Sequence, residues 1–296
     1  MCNFFTYIDE ELIRELEKNE PQLDKIIADP TCLRGYRSQH PVLTSFLTSK
    51  AYEILDCCLF NEDIKLSTSA FNIITSDNPS IICELGKNGS IEKIYDSLQE
   101  RGSSLAIKRF ASIIQSLAEC SPELTANNCS NFAKLTLKCD SVEYYSMFDA
   151  LLVSDEKNFE LIDKLVEVNF VGDVLNLIKE AENPSGALRS IPLIARIEKF
   201  RPQLCTPTTL DILFGISTTE QQTLNYIWEA IASIGKVDEI KEDYIEKAIG
   251  NLDQNGQCYY KYQVSSIYFL SHNINHAFAT PHKDKLVKTL MGLLQT

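Results

Sequence analysis

Apolar residues recur along this chain at the spacing of one helix face, and the pattern stops at short polar corners. In IKLSTSAFNIIT (64–75) the apolar positions fall at i, i+4, i+7 and i+8, which is typical of an amphipathic helix. The pattern ends at Asp77. Asn78 is a favourable N-cap, and Pro79 suits the first helical position, where its missing N–H costs nothing. The sequence therefore predicts a tight corner between two helices at this point.

The same alternation of apolar stripe and corner continues through the rest of the chain. It predicts a hinge between two helices at 168–172, and further helices over 90–102, 224–234, 244–252, 259–272 and 282–294. Glycine (11) and proline (10) are scarce, strand signals are weak, and no linker-like segment divides the chain. We predict an all-α fold, an armadillo/HEAT-like α-solenoid of antiparallel helix pairs that forms a single continuous domain over 1–296. A compact helical bundle is the alternative.

The charge balance argues against a nucleic-acid partner. The chain has 41 acidic and 28 basic residues, a formal net charge of −13, whereas neutralising phosphates requires clustered Lys and Arg. Residues 1–30 hold eight of the acids against three basic residues. This segment is either a solvated helix face or an acidic edge that meets a basic partner.

The ten cysteines are expected to be reduced thiols rather than a disulfide framework. No CxxC pair occurs, and Cys57 and Cys58 are adjacent, which suits neither a metal site nor an ordinary disulfide. Four cysteines lie within or beside apolar helical patterns, namely Cys83, Cys120, Cys139 and Cys205. In such surroundings a free cysteine behaves as a small hydrophobe. This usage favours a cytoplasmic or nuclear protein. The chain start lacks the features of a signal peptide, and no apolar run is long enough for a membrane span.

No catalytic apparatus, metal or cofactor is predicted. His272 and His276 stand at i and i+4, but no acid follows in the HExxH manner and no nearby Cys or Asp completes a metal site. In GKNGS (86–90) the lysine precedes the second glycine, contrary to the order of a phosphate loop. No GxSxG elbow occurs either. We therefore expect a protein that is not an enzyme.

Two stretches are candidates for contact with a partner. ALRSIPLIARIEKFRP (187–202) is a basic island in an acidic chain, and Arg189, Arg196 and Lys199 are spaced to lie near one helix face unless Pro192 breaks that helix. They form either a patch for an acidic partner or compensation for neighbouring acidic helices. CYYKYQVSSIYF (258–269) is rich in tyrosine, which is favoured at interfaces but also common at the edge of a core.

Two consecutive stretches resemble the SAPS-domain family, the regulatory subunits of protein phosphatase 6. They are ADPTCLRGYRSQHPVLTSFLTSKAYEILDCCL (28–59) and SAFNIITSDNPSIICELGKNGSIEKIYDSLQE (69–100). The pair Phe46-Leu47 and the corner from Asp77 to Ile81 carry most of the resemblance, which covers about residues 10–180.

The resemblance implies a non-catalytic subunit that binds a type-2A-like Ser/Thr phosphatase catalytic subunit and directs it to substrates. Asp77, Asn78 and Pro79 would then set a helix angle and face the partner. The alternative is an armadillo/HEAT-like adaptor or assembly chaperone unrelated to phosphatases. Both hypotheses predict a protein partner, no nucleic acid and no membrane.

Overall fold

Every regular element that the structure describes is a helix. The computed structural model describes residues 51–53, 55, 56, 58–60, 71, 75, 79–118, 121–136, 149, 151, 159–252 and 260–293. No strand occurs among these residues, which confirms the prediction of an all-α protein. The chain divides into two compact units, Met1–Leu135 and Thr136–Thr296. The single continuous domain over 1–296 stays a prediction.

The structure gives the bounds of four helices in the first unit, two of which begin at a proline. They are α1 (Pro79–Lys87), α2 (Ser90–Arg101), α3 (Ser104–Ala118) and α4 (Pro122–Thr136). Pro79 therefore begins a helix, as the corner pattern predicts, because its fixed φ and missing N–H suit the first turn. Asp77 and Asn78 lie outside the described residues.

The turn between α1 and α2 depends on one glycine. Gly89 has φ +76°, in the left-handed region where a side chain is strained. Beside it, the Oδ1 of Asn88 accepts a hydrogen bond from the backbone N–H of Ser90 at 3.0 Å. The two residues reverse the chain within one short turn, so α2 begins at once.

The described core of the first unit is apolar and includes a buried cation. The rings of Phe110 and Phe132 lie 6.4 Å apart between centroids, and both side chains are fully buried. Arg109 is only 5% exposed, and its Nη1 donates a hydrogen bond to the backbone carbonyl of Cys58. Burial lowers the pKa of Arg109, because desolvation disfavours its charged form.

The prediction of reduced thiols is wrong at Cys83. This residue, buried on α1, is disulfide-bonded. The other three described cysteines are free, so its partner lies outside the described residues; they are Cys58, Cys129 and Cys205. Helical periodicity places a cysteine in the core but does not show whether a second cysteine lies beside it.

In the second unit the structure gives the bounds of ten helices and one 3-10 turn. The helices are α5 (Phe159–Glu167), α6 (Phe170–Glu180), α7 (Ser185–Ala195), α8 (Arg201–Leu204), α9 (Pro207–Gly215), α10 (Gln221–Ile234), α11 (Glu242–Leu252), α12 (Tyr260–His272), α13 (Ile274–Ala279) and α14 (Lys283–Leu293), and the turn is Glu198–Phe200. The hinge predicted at 168–172 is present: Asn169, with φ +55°, separates α5 from α6. Throughout the part of the chain that the structure describes, no helix combines the length and apolarity needed to cross a membrane.

Helix α10 lies at the centre of this unit. It packs against α7 on one side and α12 on the other, and α12 also packs against α11. An aromatic cluster joins these helices around Phe214 of α9. The ring of Phe214 stacks on Tyr244 at 4.1 Å and meets Trp228 and Phe269 edge-on at 5.6 and 5.9 Å. Aromatic pairs prefer particular ring orientations in addition to burying apolar surface. The cluster therefore fixes how α9, α10, α11 and α12 meet.

Polar contacts hold the same region from outside. The hydroxyl of Tyr244 donates a hydrogen bond to Oδ1 of Asp211 at 2.5 Å, and Nζ of Lys241 lies 2.7 Å from that oxygen. The ammonium of Lys241, and then the Tyr244 hydroxyl, lower the pKa of Asp211, because both stabilise the carboxylate. Asp211 therefore links α9 to the start of α11.

Asn273, between α12 and α13, forms a buried polar junction. This residue is only 1% exposed. The Nδ2 of its side chain donates hydrogen bonds to the backbone carbonyls of Gly235 and Phe269 at 3.1 and 2.9 Å. Its Oδ1 accepts from the backbone N–H of Val237 at 3.1 Å. One amide thus satisfies three main-chain groups and ties the end of α12 to the connection between α10 and α11.

Candidate protein-binding groove

An open groove of about 730 Å³ crosses the faces of α7, α10 and α12. Helix α12 supplies Lys261, Tyr268 and His272, whose spacing of seven and four residues keeps them on one side of the helix. Helix α10 supplies Glu229 and Ala232. The groove exists because three helices pack side by side and each presents one face to the same space.

Gly235 forms the floor of the groove at the end of α10. Its φ of +81° is in the region that favours glycine, and a Cβ placed there would lie 3.0 Å from Nη2 of Arg201. The same point lies 3.9 Å from Cδ2 of His272. The missing side chain therefore lets the Arg201 guanidinium and the His272 imidazole approach the backbone closely at this point.

The imidazole of His272 is oriented by its own helix. Its Nδ1 lies 2.8 Å from the backbone carbonyl of Tyr268. A carbonyl only accepts hydrogen bonds, so we assign the donor role to Nδ1, which leaves Nε2 as the acceptor in the neutral ring.

The groove carries an excess of positive charge. Arg196 and Arg201 both line it, and among the residues that the structure describes neither side chain has an ion-pair or hydrogen-bond partner. Lys261 lies 3.8 Å from Glu229, so this pair offsets itself. Two guanidinium groups are left uncompensated, each with five donors in a planar fork.

An exposed aromatic side chain lies beside these cations. Tyr268 is 57% exposed and lines the groove, whereas Tyr262, from the same tyrosine-rich stretch, is buried. Ile267 next to Tyr268 is 42% exposed, which is unusual for a large apolar residue. The tyrosine-rich stretch therefore serves both the core and the surface.

The structure separates the predicted members of the basic island. Pro192 lies inside α7 without ending it. Arg189 lies in the same helix, and Arg196 is its C-cap residue. The guanidinium of Arg189 lies 5.5 Å from the ring centroid of Tyr226, outside the groove lining. Lys199 lies beyond the helix end, where its ammonium pairs with Asp163.

Among the predicted site residues that the structure describes, Arg196 alone lines the groove. Arg201, His272 and Gly235 were not predicted as site residues, although Arg201 lies within the basic island and His272 is one of the two histidines spaced at i and i+4. No local pattern shows that the end of α7, the end of α10 and the last turns of α12 meet. The signal that the sequence did offer was the presence of a basic stretch and a tyrosine-rich stretch, which the fold brings together in one groove.

A second cavity of about 710 Å³ lies beside the starts of α7 and α10. At the helix starts beside it, the hydroxyl of Thr223 donates to Oε2 of Glu220 at 2.6 Å and lies 3.3 Å from the hydroxyl of Ser185. These side-chain contacts join the first turns of α7 and α10. Within the described ranges, no cluster of three or more His, Cys, Asp or Glu side chains is arranged to hold a metal ion.

Comparison of the chain with protein-family models, curated proteins and solved structures gives no match.

Proposed function

We propose that this protein is a non-catalytic scaffold that binds other proteins, and that its helices form an armadillo/HEAT-like α-solenoid of antiparallel pairs. The groove across α7, α10 and α12 carries the proposal. It combines two uncompensated arginines, Arg196 and Arg201, with the exposed ring of Tyr268. Arginine and tyrosine are enriched where proteins meet, because each combines a broad contact surface with directional hydrogen bonding.

The hydroxyl and imidazole groups in the groove favour binding over catalysis. Ser233 donates its hydroxyl to the carbonyl of Ala230 at 2.7 Å, and His272 contacts the Tyr268 carbonyl. A nucleophilic serine instead needs its hydroxyl directed at a general base. The proposal that the protein is not an enzyme is consistent with this arrangement.

For the partner, we propose a type-2A-like Ser/Thr phosphatase catalytic subunit. The support is the resemblance of 28–59 and 69–100 to the SAPS-domain family. In the second stretch, α1 begins at Pro79 and buries Ile81 and Ile82, and a short turn leads to α2. In this proposal the corner at 77–79 contacts the catalytic subunit, and the groove holds the protein that the phosphatase acts on.

The test is recovery of the tagged full-length chain from its own cells, with partners identified and quantified by mass spectrometry. A blocking variant, Ala232→Glu, adds a long side chain whose negative charge opposes the two arginines of the groove. Its control, Lys288→Gln, changes an exposed residue of α14, a helix outside the groove. Circular dichroism and the thermal midpoint check that both variants fold.

We expect a near-stoichiometric phosphatase catalytic subunit with all three chains, and a second set of proteins that Ala232→Glu alone loses. A different stoichiometric partner, lost in Ala232→Glu, would replace the phosphatase proposal by the general adaptor or assembly chaperone. Recovery of the folded chain with no stoichiometric protein partner would overturn the scaffold proposal itself.

A further inference from the structure

We propose that the groove across α7, α10 and α12 binds an acidic, extended peptide segment that carries a large apolar residue. This inference rests on the proposed function, because it names the chemistry of the segment that the scaffold binds. Its acidic side chains would meet Arg196 and Arg201, and its apolar residue would pack on Tyr268. Charge complementarity selects this occupant over a basic or neutral one.

The arginines make the electrostatic part of the argument. Both are exposed, line the same groove and lack a partner among the described side chains, while Glu229 is already opposed by Lys261. A guanidinium fork matches a carboxylate in two parallel hydrogen bonds, which are stronger than bonds between neutral groups. A segment with aspartate or glutamate would supply the missing acceptors.

The Gly235 end of the groove presents Arg201 to one acidic side chain. Because Gly235 has no side chain, Nη2 of Arg201 lies only 3.0 Å, and Cδ2 of His272 3.9 Å, from the position that a Cβ would occupy. The exposed Arg201 guanidinium would donate hydrogen bonds to a carboxylate of the segment. Arg196, at the C-cap of α7, supplies the second acidic contact.

Tyr268 provides the apolar contact of the segment. Its ring is 57% exposed and lines the groove with Val264 and Ala232, which present only aliphatic atoms. Covering a largely exposed aromatic ring removes apolar surface from water, and the phenol hydroxyl remains able to hydrogen-bond. An acidic segment with leucine or phenylalanine therefore fits better than a segment of acidic residues alone.

The net charge of −13 does not prevent an acidic segment from binding here. At physiological ionic strength, fields decay over about 8 Å, so exposed charges elsewhere on the chain act weakly on a segment in contact with the arginines. The same net charge disfavours a polynucleotide, which would bring a long series of phosphates to only two uncompensated cations.

The test measures binding of a fluorescein-labelled peptide, made of glutamates around two central leucines, to the full chain by fluorescence anisotropy. Two control peptides replace the glutamates by lysines or the leucines by alanines. A labelled single-stranded oligonucleotide of equal length tests phosphate recognition. The protein variants are Arg196→Gln, Arg201→Gln, Arg196→Lys, Tyr268→Ala and the charge-matched Lys288→Gln, each checked for its thermal midpoint.

We expect the acidic leucine peptide to bind, and each Arg→Gln variant to weaken binding by at least about tenfold, since charged hydrogen bonds are lost. Arg196→Lys should restore only part of the affinity, because lysine keeps the charge without the fork. The peptide without leucines, and Tyr268→Ala, should show weaker binding. Lys288→Gln should bind as the parent chain does.

Several results would overturn the inference. One is equal binding of the lysine peptide, and another is full affinity in both Arg→Gln variants. Oligonucleotide binding that depends on the same arginines would replace acidic-peptide recognition by phosphate recognition. If the acidic peptide fails to bind while Ala232→Glu still loses a cellular partner, the inference fails and the scaffold function stands. If no partner is recovered at all, the proposed function fails.

Discussion

At the scale of single residues, Asp211 shows how an exposed contact can make stability depend on pH. Its carboxylate accepts the hydroxyl of Tyr244 and pairs with Lys241, which together lower its pKa. A carboxyl group whose pKa is lower in the folded than in the unfolded state binds fewer protons when folded. Its contribution is therefore complete above the unfolded pKa of about 3.9 and is lost as pH falls through the folded pKa.

We predict that Asp211→Asn lowers stability modestly at pH 7 and that the difference from the parent chain shrinks to zero at low pH. The difference in free energy of unfolding is measured by urea titration between pH 7 and pH 2.5, with the fluorescence of Trp228 reporting the unfolding of the second unit. The control is Asp243→Asn, an exposed acid in the first turn of α11. A constant difference at every pH would show that packing, rather than ionisation, makes Asp211 important.

At the scale of elements, α1 offers two neighbouring positions with opposite environments. Ile81 is buried and Ser80 is exposed, although both lie in the first turn of the helix. A carboxylate near a helix N-terminus is stabilised by the aligned peptide dipoles, whereas a carboxylate in an apolar core loses its hydration. The two positions therefore separate helix electrostatics from packing.

We predict that Ile81→Asp lowers the free energy of unfolding of the first unit by at least about 3 kcal/mol, because it buries an unpaired charge. The matched Ser80→Asp should be neutral or should stabilise by about 0.3–1 kcal/mol. Urea unfolding followed by far-ultraviolet circular dichroism measures both. A neutral Ile81→Asp would mean that α1 does not pack through this face.

Helical periodicity was sufficient for the elements but not for the groove. The stripe of Ile91, Ile94 and Leu98 gives α2 its buried face, and the hinge at Asn169 lies where the pattern changes phase. Pro192 shows the limit of local rules, because α7 continues through it. Tertiary packing overrides a local preference when the helix has enough buried surface, as the buried Leu188 and Ile191 of α7 indicate.

At the scale of the whole molecule, a strongly acidic chain exposes a locally basic groove. The sequence shows the net charge of −13 and the basic island, and both are visible without a structure. It does not show that Arg196 and Arg201 remain uncompensated while Lys199 is paired with Asp163. Charge compensation depends on which side chains meet in space, and composition carries no such information.

We predict that affinity for the acidic leucine peptide changes by about tenfold or less between about 50 and 200 mM salt, since the described lining of the groove offers two uncompensated cations. A groove built for nucleic acid, with six to ten phosphate contacts, would lose about 10³–10⁵ in affinity over that range. Anisotropy titrations across the salt series measure the slope. A slope of the steeper kind would exclude a two-point acidic contact.

The junction made by Asn273 has a consequence for how the groove accepts an occupant. The same amide that closes the end of α12 also holds the carbonyl of Gly235, so the wall and the floor of the groove are joined through one side chain. The main chain of the groove is therefore pre-organised, and little backbone freedom is left to lose when the groove fills. The backbone part of the entropic cost of association then falls on the incoming segment, which makes a segment already held extended the preferred occupant.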